Sequence, residues 1–213
     1  MILRAGWILS GVLALLAGCD SSWTLHRASP EPQPAAEKAL ELLQGVVDEQ
    51  NYRNAGFASV DEARRAVLGK PLEIYVMRTD ALRQWNGQGD ANAVVLGEKS
   101  VEAVYPVIVD GQIRSTVSIF KDDEGYRPAT FGDAEIARTL ARYRKSDADF
   151  IVQVPLLGSY FIGQRSGNEV SVTLAYQAAR LRGYQQGQQA SPQELLPLLA
   201  GIARADSKAE MPR

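Results

Sequence analysis

The stretch AVYPVIVDGQIRSTVSIF, residues 103–120, sets Asp110 and Gly111 between two runs rich in β-branched and aromatic residues. Asp-Gly accepts the positive φ values of a type I′ turn, so the two runs should close into a tight antiparallel hairpin with Val109 opposite Gln112. An unbroken ladder in that register puts Val104, Pro106 and Ile108 on one face with Ile113, Ser115, Val117 and Ile119. Tyr105, Val107 and Val109 then share the other face with Gln112, Arg114, Thr116 and Ser118. The first set is the more apolar and is expected to face the core. Pro106 cannot donate to the ladder, which predicts an edge strand or a bulge.

A lone hairpin is marginal in water, so the rest of the chain has to cover it. Ala36, Ala39, Leu40, Leu43 and Val47 recur at helical spacing behind Pro34, predicting a core-facing helix over about 35–49. Ser59 and Glu62 have the spacing of a capping box, and Gly69 and Pro71 end the segment they start. LEIYVMRT, residues 72–79, alternates as a strand, and the Gly and Asn content of 85–94 marks a loop. After an acidic turn at 121–128, Ile136, Leu140 and Tyr143 make an apolar stripe on a helix whose other side carries Arg138, Arg142 and Lys145.

DFIVQVP, SYFIGQR and EVSVTLA, joined by short Gly-containing links, predict a three-stranded meander. Ser191, Pro192 and Glu194 fit the first positions of a final helix that Pro197 should kink or shorten, and the tail 206–213 reads as frayed. The expected fold is therefore α+β: one domain over 35–205, with an antiparallel sheet of about six strands and helices mainly on one face.

The first eighteen residues hold one charge, Arg4, followed by an apolar run from Trp7 to Ala17. Eleven residues are too few to span a bilayer as a helix and suit the core of a signal peptide. Leu16, Ala17, Gly18 and Cys19 resemble the lipobox of bacterial lipoproteins. That resemblance implies a signal peptide over 1–18, cleavage between Gly18 and Cys19, and a covalent diacylglycerol on the Cys19 sulfur, with an acyl chain also possible on the freed α-amino group. Asp20, directly after the cysteine, implies retention at the periplasmic face of the inner membrane. The alternative is an ordinary cleaved signal peptide that happens to contain a cysteine. Residues 19–34 are rich in Ser and Pro without an apolar period, which predicts a flexible, lipid-anchored linker.

Composition narrows the function. The 213 residues carry 25 acidic and 23 basic side chains, with no basic excess of the kind a nucleic-acid binder needs. The only cysteine, Cys19, and the only histidine, His26, both precede the domain, so Ser-His-Asp and Cys-His catalysis and ordinary zinc sites have no residues to use there. No metal or cofactor is expected beyond the lipid on Cys19. The Asp122–Gly125 run lacks the alternating oxygens of a known calcium loop.

A candidate binding surface is expected on the second face of the hairpin, where Tyr105, Arg114 and Thr116 would lie together with Tyr126 and Arg127 nearby. Arg114 would clamp a peptide or an anionic small ligand there, unless a helix covers that face. The row Arg138, Arg142 and Lys145 is read either as a contact for anionic lipid or an acidic partner, or as a solvated helix face. The functional expectation is a membrane-tethered envelope lipoprotein, not an enzyme, that binds or scaffolds a protein partner. The alternatives are a periplasmic small-ligand or sensor module and a hydrolase working through two carboxylates.

Overall fold

The computed structural model describes residues 28–176, 181 and 183–209. Gly18 and Cys19 of the lipobox-like run, together with Asp20, lie outside them. The fold is α+β, an open and mostly antiparallel nine-stranded sheet with six helices. The expected count of six strands was too low.

Near the start of the described residues, Ser29 N–H donates to Tyr126 O at 2.8 Å and its carbonyl accepts from Tyr126 N at 2.7 Å. Helix α1 (Pro32–Val46) follows, three residues earlier than its apolar stripe suggested, because Pro32 is itself suited to a first helical position. It buries Ala35, Ala36, Ala39 and Leu43, and Asn51 Nδ2 caps its end by donating to Val46 O at 2.7 Å. Part of the segment read as linker thus belongs to the folded unit.

Helix α2 (Val60–Arg64) begins where Ser59 Oγ accepts from Glu62 N at 3.1 Å. Two short strands, β1 (Val67–Leu68) and β2 (Leu72–Val76), lead to α3 (Thr79–Gln84) and α4 (Ala91–Leu96). Helix α4 lies largely within the expected loop. Asp90 caps it by accepting from Asn92 N at 2.9 Å, and Ala91 and Val95 are buried beneath it.

Strands β3 (Glu98–Val109) and β4 (Gln112–Asp122) form the hairpin, with φ of 50° at Asp110 and 76° at Gly111 as a type I′ turn demands. Val109 pairs with Gln112 and Ile108 with Ile113, as expected. Val107 then pairs with Ser115, which leaves Arg114 as the extra residue of a β-bulge. The bulge reverses the expected faces beyond it: Tyr105 pairs with Val117 and Ala103 with Ile119 on the side covered by the first two helices, while Val104, Thr116 and Ser118 are buried on the other side. Pro106 sits on an inner strand. Its carbonyl accepts from Gly69 N at 2.8 Å, so its ring nitrogen turns toward the break between β1 and β2, where the ladder needs no donor.

Strand β5 (Gly125–Phe131), helix α5 (Ala134–Tyr143), strands β6 (Phe150–Val154), β7 (Ser159–Ser166), β8 (Glu169–Tyr176) and β9 (Gln189–Ala190), and helix α6 (Pro192–Ala209) complete the chain. Helix α6 continues through Pro197 and into the segment read as a frayed tail. The sheet order is β5-β4-β3-β2-β6-β7-β8-β9, with β1 on β3; β2 and β6 are the parallel pair, and β6, β7 and β8 form the expected meander.

Five of the six described helices lie on one face. Helices α1 and α2 cover Tyr105, Val107, Val117 and Ile119, while α3, α4 and α6 cover Val152, Phe161, Val172 and Leu174. Helix α5 lies alone on the other face, where its Leu140 joins Leu72, Ile74, Val104, Ile151 and Ile162. Its first turn is fixed by Asp133, whose carboxylate accepts from Glu135 N and Ile136 N.

Candidate functional site

A groove of about 890 Å³ lies near the β9 edge of the sheet. It is lined by Gln164, Arg165 and Ser166 of β7, Glu169 and Ser171 of β8, Gln189 of β9, Gln193 and Glu194 of α6, Asn92 of α4, and Lys145, Ser146 and Asp149 from the loop after α5. Almost every lining side chain is an amide, a hydroxyl or a charge. This suits hydrogen bonding to an extended polar ligand more than enclosure of an apolar one.

Its walls are fixed by local bonds. Asp149 is buried and accepts from Lys145 N at 2.7 Å, Ser146 N at 3.3 Å, Ser146 Oγ at 2.6 Å and Gln164 Nε2 at 3.4 Å. Four donors leave this carboxylate with a loop to hold. At the far wall, Ser191 N donates to Glu194 Oε2 at 2.8 Å and Glu194 N to Ser191 Oγ at 3.3 Å, the reciprocal capping box that starts α6. Ser191 N, and then Ser191 Oγ, which donates to the same Glu194 Oε2 at 3.0 Å, hold the Glu194 carboxyl below its usual range.

Arg165 supplies a fixed cation. Its guanidinium lies 5.0 Å from the Phe150 ring centroid and 5.4 Å from that of Tyr75, and Nη2 donates to Tyr75 Oη at 2.9 Å. Tyr75 Oη donates in turn to Glu73 Oε2 at 2.7 Å, while Lys99 Nζ stands 2.6 Å from Glu73 Oε1. Lys99 first and Tyr75 second hold the Glu73 carboxyl below its usual range. The chain of contacts orients Arg165 before any ligand arrives.

The five candidate residues, Tyr105, Arg114 and Thr116 of the hairpin and Tyr126 and Arg127 of β5, do not form one surface, and the Arg114 bulge puts Tyr105 and Thr116 on opposite faces. Tyr105 is buried beneath α1, and burial pushes its phenol up from the usual range. Thr116 lies on the opposite face, buried, with Oγ1 3.4 Å from Asp133 O. Tyr126 packs against the α1 side and is held by Ser29, with Lys121 Nζ 5.4 Å from its ring centroid. Arg127 Nε stands 2.8 Å from Asp122 Oδ2, and its Nη2 pairs with Glu124. Asp122 Oδ1 also accepts from Glu124 N and Gly125 N, so this carboxylate closes the β4–β5 turn.

Arg114 is half-exposed, and its Nε donates to Glu62 Oε1 at 2.9 Å. Glu62 is buried at 7% exposure, and its other oxygen accepts from Ala58 N. The carboxylate thus ties α2 to the bulge. Glu62→Ala should strand the Ala58 N–H and loosen Arg114, lowering stability by about 1–3 kcal/mol, read as a shift in the urea midpoint at unchanged slope.

Sequence reasoning found the Ser191–Glu194 cap but not the groove, whose walls come from separate segments without a shared motif. Among the described residues no group of three or more His, Cys, Asp or Glu is placed to hold a metal ion. No helix among them is long and apolar enough to cross a membrane. In comparisons with known proteins, no family model, no curated protein and no solved structure matches the chain.

Proposed function

We propose that this chain is a lipid-anchored protein of the bacterial cell envelope whose α+β domain binds a protein partner in the polar groove and carries out no reaction of its own. The observation that carries the docking half is the groove itself, wide and polar, with a rigidly held arginine and a buried carboxylate already spent on four local bonds. The anchoring half rests on the lipobox-like run ending at Cys19. Diacylglycerol supplies two acyl chains, and each buried CH₂ contributes roughly 0.8 kcal/mol. Asp20 favours the periplasmic face of the inner membrane.

Geometry joins the halves. Cys19 is nine residues from Ala28, a reach of roughly 30 Å at about 3.3 Å per residue. The chain joins the sheet at the β5 edge, whereas the groove lies at the β9 edge, seven strand spacings or roughly 34 Å away. A domain held by one edge and open at the other can meet a partner clear of the lipid.

A photo-crosslinking residue at Gln193, inside the groove, is expected to give one discrete protein adduct in intact cells, while the same residue at Glu41 on the exposed side of α1 gives none. Equal adducts from both positions, or none from Gln193, would remove the groove as the docking site.

A further inference from the structure

The α5 face of the sheet carries a second groove, of about 560 Å³, between α5 and the tip of the β3–β4 hairpin. Arg114, Arg138, Arg142 and Arg144 line it together with Gln112, and no acidic residue does. Such a gathering stands out in a chain whose acids outnumber its bases, 25 to 23. Two of the arginines are anchored in place, Arg114 by Glu62 at 2.9 Å and Arg144 by Asp147 at 3.2 Å. A guanidinium has five N–H donors, so Arg114 keeps donors beyond the one Glu62 takes, whereas Arg144 also gives Nε to Ser146 O and Nη2 to Lys70 O and serves mainly as a fixed charge.

Arg138 and Arg142 are different. Both are exposed, one turn apart on α5, and neither makes an ion pair among the described residues, although Arg142 lies 5.4 Å from the Tyr143 ring centroid. Like charges at that spacing oppose the helix, and no acid in the groove offsets them. Packing does not require them either, since the buried residues of α5 are Ala134, Ala137, Thr139 and Leu140.

We propose that this groove is a phosphate site, with the ligand seated between Arg138 and Arg142 and the remaining N–H groups of Arg114 reaching it from the strand side. A planar carboxylate is satisfied by one guanidinium fork, whereas guanidinia approaching from a helix and from a strand match the several oxygens of a tetrahedral phosphate. The site lies on the opposite face of the sheet from Tyr75 and Phe150, and rests on neither the anchor nor the docking of a partner. Two sources share its chemistry: a soluble phosphate ester and the headgroup of a phospholipid.

The test is calorimetric titration of the detergent-solubilised full-length chain at fixed ionic strength. The probes are pyrophosphate, glycerophosphoglycerol as a deacylated lipid headgroup, and acetate as a carboxylate control. Saturable binding of at least one phosphate probe is expected, weakened at least tenfold by Arg138→Gln with Arg142→Gln, with circular dichroism unchanged. Preference for pyrophosphate assigns a soluble ester and preference for glycerophosphoglycerol assigns the headgroup. Binding that survives the double substitution, equals that of acetate, or is missing for both phosphate probes overturns the site.

Discussion

Phe161→Ala should be the most damaging single truncation in the core, lowering stability by about 3–5 kcal/mol. Phe161 is fully buried on the central meander, between Val152 of β6 and Leu174 of β8 in the ladder, and belongs to the cluster that α3, α4 and α6 cover. Deleting the ring removes its transfer free energy and leaves a cavity beneath three helices that pack on one another, with α4 and α6 also held on the sheet, so they cannot readily collapse into the space. Domains of this kind hold about 5–15 kcal/mol in total. The expected loss is a melting temperature lower by roughly 6–20 °C, from about 2–4 °C per kcal/mol at this size, measured by calorimetry.

Gly56→Ala should cost about 2–4 kcal/mol, from backbone strain together with a steric clash. Gly56 has φ of +97°, and a Cβ there would stand 1.9 Å from the carbonyl oxygen of Arg114. Neither group can swing aside, because the second is backbone at the bulge. Gly89 separates the two contributions: its φ is +95°, but a Cβ would meet nothing within 4 Å. Gly89→Ala should therefore show the conformational cost alone, about 1 kcal/mol. Denaturant unfolding of the two variants side by side checks the argument, and equal losses would show that close approach to the bulge contributes nothing.

The same contact explains what the sequence could and could not reveal. The Asp110–Gly111 turn and the Val109–Gln112 pair were legible because both follow from local backbone preference. The bulge at Arg114 was not, because it is fixed from outside the hairpin by Gly56 packing on the Arg114 carbonyl and by Glu62 holding its side chain. One extra residue moved Tyr105 and Thr116 to opposite faces and dissolved the surface expected there. Strands β1 and β9 are two residues each, too short to alternate, and β5 contains Pro128 behind an acidic turn. Helix α4 was hidden by the Gly and Asn residues before it, although Asp90 was there to be read as its cap.

The grooves follow the same logic. The basic row on α5 was visible as helical spacing, but its acid-free setting depends on where the hairpin tip lands. The polar groove joins residues from Asn92 to Glu194, and no local pattern links them. Motifs within one element survive in sequence, whereas sites assembled across the sheet come into view only with the fold.

The anchor is the central claim, and the intact mass of the protein purified from membranes tests it most directly. The expected product is a chain that begins at Cys19 and carries the added mass of a diacylglycerol on the Cys19 sulfur. A chain beginning at any other residue, or one with Cys19 unmodified, would contradict it.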